Sequence, residues 1–161
     1  MELWGLARAL HVLGVVLWIG GVAMVTTVLL PAVRRLPQGD AMGVFERFEH
    51  RFAAQARWTT LLVGLTGFYL AGELELWHRF AQLRYWWMHA MVLVWAVFTM
   101  LLFVLEPLFL HSWFAARARR DAAGTLRILA RMHWILLALS LATIAGAVAG
   151  SHGVLLFDGN E

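Results

Sequence analysis

The sequence predicts an all-α integral membrane protein, a bundle of four transmembrane helices with both termini outside and two arginine-rich cytoplasmic connections. Hydrophobic residues make up 61% of the chain, whereas soluble domains are about 45–50% apolar. Four apolar stretches are long enough to cross a bilayer, which takes about 20 residues each. None of them alternates with the period of two that is typical of a barrel strand.

The predicted helices follow the four apolar stretches in chain order, at about residues 4–33, 52–74, 83–114 and 126–150. Helices are expected because an open chain satisfies its backbone hydrogen bonds in lipid only in that form. Pro37 and Gly39 end the first helix, and about residues 40–52 form an amphipathic cytoplasmic segment before the second. The whole chain, 1–161, is expected to form a single transmembrane domain.

The distribution of arginine predicts the orientation. All 13 basic residues are arginine, and ten of them lie in the connections between helices 1 and 2 and between helices 3 and 4 or in the first turns of the helix that follows. The positive-inside rule makes these two connections cytoplasmic, so we expect a multi-pass protein of the bacterial inner membrane. This role accounts for the basic composition, and no nucleic-acid partner is expected. The absence of cysteine excludes disulfides and thiolate metal ligands.

Two of the seven histidines lie at similar depth on different predicted helices. His11 is roughly 10 Å beyond Trp4 along the first helix, and His89 is roughly 8 Å beyond Arg84 along the third. Ionisable groups at bilayer depth are functional candidates. Two imidazoles at one depth are the arrangement that provides two axial ligands to a haem iron. Gly14 shares nearly the same helix face as His11 and would let a flat macrocycle approach the backbone.

A second pair of histidines lies toward the cytoplasmic side. His133 and His50 are candidate ligands of an inner haem, and Arg51, Arg57 or Arg131 would pair with its propionates. For every histidine in a predicted span, the alternative to haem ligation is a structural role, in which the ring forms a hydrogen bond with a neighbouring helix.

His152 ends the fourth helix on the outer side, as a candidate to replace an outer ligand or to line a substrate or metal site. Glu106 and Pro107 interrupt the third apolar stretch. Pro107 frees a backbone carbonyl and predicts a kink. Glu106 has three interpretations, namely a proton-handling group, a partner for a cytoplasmic arginine, or a side chain that snorkels to the interface.

The segment around His11 resembles a known superfamily of four-helix, haem-binding membrane proteins. The stretch "ARALHVLGVVLWIGGV" is similar to the opening of the membrane protoporphyrinogen oxidases and of the copper-resistance D family. Their later helices resemble "FEHRFAAQARWTTLLVGLTGFYL", "YWWMHAMVLVW" and "LRILARMHWILLALS". The resemblance implies that His11 corresponds to the family's haem-ligand histidine.

One departure from the oxidases affects the functional hypothesis. They carry a lysine at the start of the third helix, where this lysine-free chain has His89. The favoured hypothesis is therefore a haem b membrane cytochrome, with one or two haems, that transfers electrons in or across the membrane. A protoporphyrinogen oxidase-like membrane oxidoreductase is the first alternative. A copper transport or resistance protein is the second, since methionine and histidine suit copper. The candidate methionines are Met88, Met91, Met100 and Met132.

The expected surroundings follow from these hypotheses. The protein is expected to lie in the lipid bilayer. Its redox partner is expected to be quinone or a periplasmic redox protein, and a homodimer is the candidate assembly.

Overall fold

A computed structural model describes residues 3–154, except the side chains of residues 38, 39 and 111. The secondary structure of this part of the chain is helical, and it contains no strand. The prediction of an all-α chain is confirmed. The helical segments of the described part join into four continuous rods. The first comprises α1 (Leu3–Met24), a π-helix (Val25–Leu29) and α2 (Leu30–Val33). The second is α3 (Gln38–Glu73), and the fourth is α6 (Ala122–Ser151). The third comprises a 3₁₀ turn (Leu83–Tyr85), α4 (Trp86–Met100), a π-helix (Leu101–Leu110) and α5 (His111–Ala118).

Three described helices are long and apolar enough to cross a membrane, namely Leu3–Val33, Leu83–Leu110 and Ala122–Ser151. The second rod is a single helix of 36 residues, where the sequence predicted an amphipathic segment followed by a span. It is less apolar than the others because its first half carries several charged residues. A 3₁₀ segment, Leu76–Ala81, connects it to the third rod.

Both π-helical stretches are associated with a proline. Pro31 follows Val25–Leu29 directly in the first turn of α2, and Pro107 lies inside Leu101–Leu110. Proline has no N–H to donate and clashes with the preceding turn of an α-helix. Wider π turns relieve that clash. The interruption that the sequence predicted at Pro107 therefore takes the form of a long π-helix.

The rods pack mainly in pairs, with α1 against α3 and α4 against α6. A Cβ atom at Gly14 would lie 2.8 Å from Cγ2 of Val63, so the space beside Gly14 is filled by α3. The structure thus accounts for Gly14 by close helix contact rather than by an open face for a macrocycle. Gly64 similarly admits the Trp95 ring, whose Nε1–H donates to the Thr60 carbonyl at 3.0 Å.

Two buried apolar clusters hold the rods together. One joins the π-helix and α2 of the first rod to the start of α3 and to α6, through residues that include Val25, Leu30 and Leu126. The other lies nearer the middle of the rods, where Trp18 contacts Phe98 edge to face with ring centroids 4.8 Å apart.

Candidate functional site

The His11 ring is half-buried and held by α3. Its Nδ1 lies 3.1 Å from the Val63 carbonyl oxygen and 3.1 Å from Oγ1 of Thr66. The Thr66 hydroxyl donates to the Leu62 carbonyl at 2.6 Å, so its oxygen is left to accept. Both neighbours of Nδ1 are therefore acceptors, which assigns the ring proton to Nδ1 and the lone pair to Nε2.

This hydrogen bond to α3 is the structural alternative that the sequence left open for a histidine in a predicted span. A metal-ligating histidine also almost always donates its second ring N–H to a carbonyl or carboxylate, so the bond is compatible with both interpretations. Gly67 provides the space, because a Cβ there would lie 3.0 Å from Cε1 of His11. Val63, Thr66 and Gly67 were not predicted as site residues, since their relation to His11 depends on how α1 and α3 pack.

His89 is exposed near the start of α4. Its Nε2 lies 3.0 Å from the Phe80 carbonyl oxygen, so Nε2–H is the donor and Nδ1 carries the lone pair. Within residues 3–154, no hydrogen bond or ring contact joins His89 to His11. Joint ligation of one iron by these two histidines stays a prediction.

A series of aromatic rings leads from His89 to α3. The centroid distances are 5.3 Å from His89 to Phe80, 5.9 Å from Phe80 to Trp77 and 6.5 Å from Trp77 to Phe68. Phe68 then contacts Trp95 at 5.4 Å. These rings fix the 3₁₀ connection and the start of α4 against the end of α3.

On the other side of the bundle, a cavity of ≈ 150 Å³ lies between α3, the third rod and α6, and His133 is part of its wall. His133 Nδ1 lies 2.9 Å from the Leu129 carbonyl oxygen, which leaves the lone pair on Nε2. Among the described side chains, His50, Arg51 and Arg131 are exposed and do not line this cavity. Arg57 does not line it either, so the structure brings one of the five predicted inner-haem residues to the cavity and not the other four.

An ion pair joins α3 to the π-helix of the third rod. Arg57 binds the Glu106 carboxylate, and its Nε–H also donates to the Leu102 carbonyl at 3.2 Å. In a π-helix the N–H of residue i+5 bonds the carbonyl of residue i. For Leu102 that residue is Pro107, which has no N–H. Arg57 thus occupies the acceptor that Pro107 leaves free, and Glu106 has an arginine partner, as one of its three interpretations proposed. The cytoplasmic location of that arginine stays a prediction.

The remaining candidate ligands are dispersed. His152 is exposed at the end of α6, with Nδ1 2.9 Å from the Val148 carbonyl oxygen. Met91 and Met100 are exposed on α4, whereas Met88 is buried. No group of three or more histidine, aspartate or glutamate residues that could hold a metal ion occurs in the part of the chain that the structure describes.

The chain matches no protein-family model, no curated protein and no solved structure. The resemblance of the His11 segment to the porphyrinogen oxidases and the copper-resistance D family stays an expectation from the sequence.

Proposed function

We propose that this protein is a haem b-binding membrane cytochrome that transfers electrons, with His11 as an axial ligand. The observation that supports it is the His11 ring itself. It lies half-buried within an apolar helix, its Nδ1–H has acceptors on α3, and its Nε2 lone pair is left for a metal. When bound, haem b supplies one-electron redox chemistry. The protein residues orient the imidazole, set its depth and exclude water.

His89 is the proposed second ligand. Because its Nε2–H donates to Phe80, the ligating atom would be Nδ1. A second, inner haem would use His133, whose Nδ1 is likewise engaged and whose Nε2 is available. His50 is its proposed partner, on the basis of the sequence alone.

We further propose that α3 crosses the bilayer as the fourth span, with both arginine-rich connections in the cytoplasm of a bacterium and both termini outside. Three of its hydroxyl-bearing residues are buried, with Thr59, Thr60 and Thr66 exposed by 7%, 0% and 9%. Part of the polarity that lowers its hydropathy is therefore turned toward neighbouring helices rather than toward lipid. The terminal residues 1–2 and 155–161 lie outside the described part of the chain.

Spectroscopy of the purified full-length protein tests the haem proposal. Expressed with an ample haem supply, the protein should show a b-type band in dithionite-reduced minus oxidised spectra. His11→Ala should lose that band. His78→Ala is the matched control, because this exposed histidine also bonds a carbonyl through Nδ1, at 2.8 Å from Glu75, but lies outside the apolar helices. Its spectrum should match that of the unsubstituted protein.

A subtler variant tests the orientation of the ligand. Thr66→Val removes one of the two acceptors of the His11 Nδ1–H. It should retain haem but change the midpoint potential, because the partner of a ligating imidazole tunes its basicity. Absence of the band in the unsubstituted protein, or its persistence in His11→Ala, would contradict the proposal. Rescue of a strain that lacks its own protoporphyrinogen oxidase would favour the enzyme, and stoichiometric copper without iron would favour a copper protein.

A further inference from the structure

The cavity beside His133 has the chemistry of a binding site for a lipid-soluble ring. It extends along α3 from Met42 to Ala56, about 21 Å of helix rise. Its volume is ≈ 150 Å³, and most of its wall is apolar. Four aromatic side chains contribute to that wall, namely Phe45, Phe52, Phe98 and Phe114. Flat aromatic molecules pack well against such rings.

One wall of this cavity is formed by the π-helix Leu101–Leu110. Extended π-helices are rare, and π turns occur frequently at functional sites. Pro107 prevents this stretch from closing into a regular α-helix, and Arg57 stabilises it through the Leu102 carbonyl and Glu106. The shape of the wall is thus fixed by specific contacts, which distinguishes it from a random packing defect.

The polar groups of the cavity define what the ligand must offer. His133 Nε2 is a hydrogen-bond acceptor, and no hydrogen bond to it occurs within the described residues. A ligand that faces it must therefore carry a donor. Among the residues that the structure describes, no arginine lines the cavity, so its wall offers no cationic partner to an anionic ligand. A neutral ring that carries a hydroxyl group satisfies both conditions.

We propose that this cavity binds the ring of a lipid-soluble quinol, with a ring hydroxyl donating to Nε2 of His133. The oxidised quinone has only acceptors at those positions, so the reduced form should bind more tightly. The proposal does not depend on a haem at His11. It is an alternative to the inner haem at His133, because the one lone pair of Nε2 cannot both ligate an iron and accept a hydrogen bond from a quinol.

Calorimetric titration of the purified full-length protein in detergent, under anaerobic conditions, tests the proposal with decylubiquinol and decylubiquinone as probes. Saturable binding of the quinol is expected. His133→Ala should weaken it about tenfold, the factor that corresponds to about 1.4 kcal/mol, the size of one hydrogen bond. His152→Ala is the matched control. It lies on the same helix and makes the same Nδ1 contact with the carbonyl four residues earlier, but it is exposed at the other end.

A second pair of variants tests the cavity itself. Ala53 lines it and is buried, whereas the next residue, Ala54, is exposed. Ala53→Phe should fill the cavity and abolish quinol binding, and Ala54→Phe should leave it unchanged. Circular dichroism checks that each variant is folded, and the His133 pair remains decisive should Ala53→Phe not fold.

Three results would overturn the proposal. The first is the absence of saturable quinol binding. The second is an equal affinity for quinol and quinone together with an unchanged quinol affinity in His133→Ala. The third is undiminished quinol binding by a folded Ala53→Phe protein. Because the titration measures binding without reference to haem, a failure of the haem proposal would leave these outcomes interpretable.

Discussion

Replacing Arg57 tests how the π-helix around Pro107 is stabilised. The guanidinium makes two contacts with the third rod, one with the Glu106 carboxylate and one with the Leu102 carbonyl. If the hydrogen bond from Arg57 to the Leu102 carbonyl replaces the one that the missing N–H of Pro107 would make, then Arg57→Met should lower the stability less in a protein whose residue 107 has an N–H. The comparison therefore needs Arg57→Met in two backgrounds, the natural sequence and Pro107→Ala.

The size of the effect follows from the exposure and chemistry of the two contacts. The side chains of Arg57 and Glu106 are 32% and 26% exposed. Breaking a fully buried ion pair costs about 3–5 kcal/mol, and an exposed pair is worth at most about 1 kcal/mol, so we expect about 2 kcal/mol here. A hydrogen bond from a charged group adds about 1.5 kcal/mol. Arg57→Met should then destabilise the natural sequence by about 3.5 kcal/mol and the Pro107→Ala protein by about 2 kcal/mol.

Reversible unfolding in mixed micelles with increasing dodecyl sulfate, followed by tryptophan fluorescence, measures the four free energies of this cycle. Arg47→Met is the matched control, because Arg47 lies on the same helix and its Nε–H also donates to a carbonyl, that of Gly43, at 3.2 Å. That side chain is exposed, and its loss should change stability by less than about 0.5 kcal/mol. An equal loss from Arg57→Met in both backgrounds would refute the idea that the guanidinium replaces the missing N–H.

The same unfolding assay checks two further predictions about helix contact. Gly14→Ala should destabilise the protein by about 1–3 kcal/mol, since the new Cβ would lie 2.8 Å from the stiff, buried Val63 side chain. Gly20→Ala, with nothing within 4 Å, should be neutral or stabilising, and equal behaviour of the two variants would contradict this account. Trp95→Phe should cost about 1 kcal/mol through loss of the 3.0 Å bond to the Thr60 carbonyl, and an unchanged stability would show that this bond contributes nothing.

Much of the helical architecture could be predicted because apolar runs of sufficient length have few alternatives in lipid. The three described helices that can cross a membrane overlap three of the four predicted apolar stretches, with ends that differ by about four residues at most. The continuity of Gln38–Glu73 was not predicted. The change from charged to apolar composition near residue 52 suggested two elements, but nothing in that stretch breaks a helix, so the backbone continues through it.

The candidate sites were predicted only as far as residue type allowed. The sequence identified His11, His89 and His133 as unusual, and it indicated that Pro107 would free a backbone carbonyl without identifying which one. It did not indicate which ring nitrogen each histidine engages, because that depends on carbonyls brought near by packing or by the helix itself. The Arg57 partner of Glu106 was one of several open choices for the same reason.

The composition of α3 illustrates why hydropathy alone misjudges such a helix. Hydropathy scores a threonine equally whether it faces lipid or another helix. On α3, Thr59 and Thr66 are buried and donate to carbonyls of their own helix, at 3.0 Å to Gln55 and 2.6 Å to Leu62. The same helix orients His11, binds Glu106 through Arg57 and forms one wall of the cavity beside His133. Thr66 and Arg57 lower the hydropathy of α3 together with the charged residues of its first half, and they are the residues that contact the His11 imidazole and the Glu106 carboxylate. If α3 is the fourth span, as proposed, a more apolar sequence would insert more readily but would lose these orienting contacts.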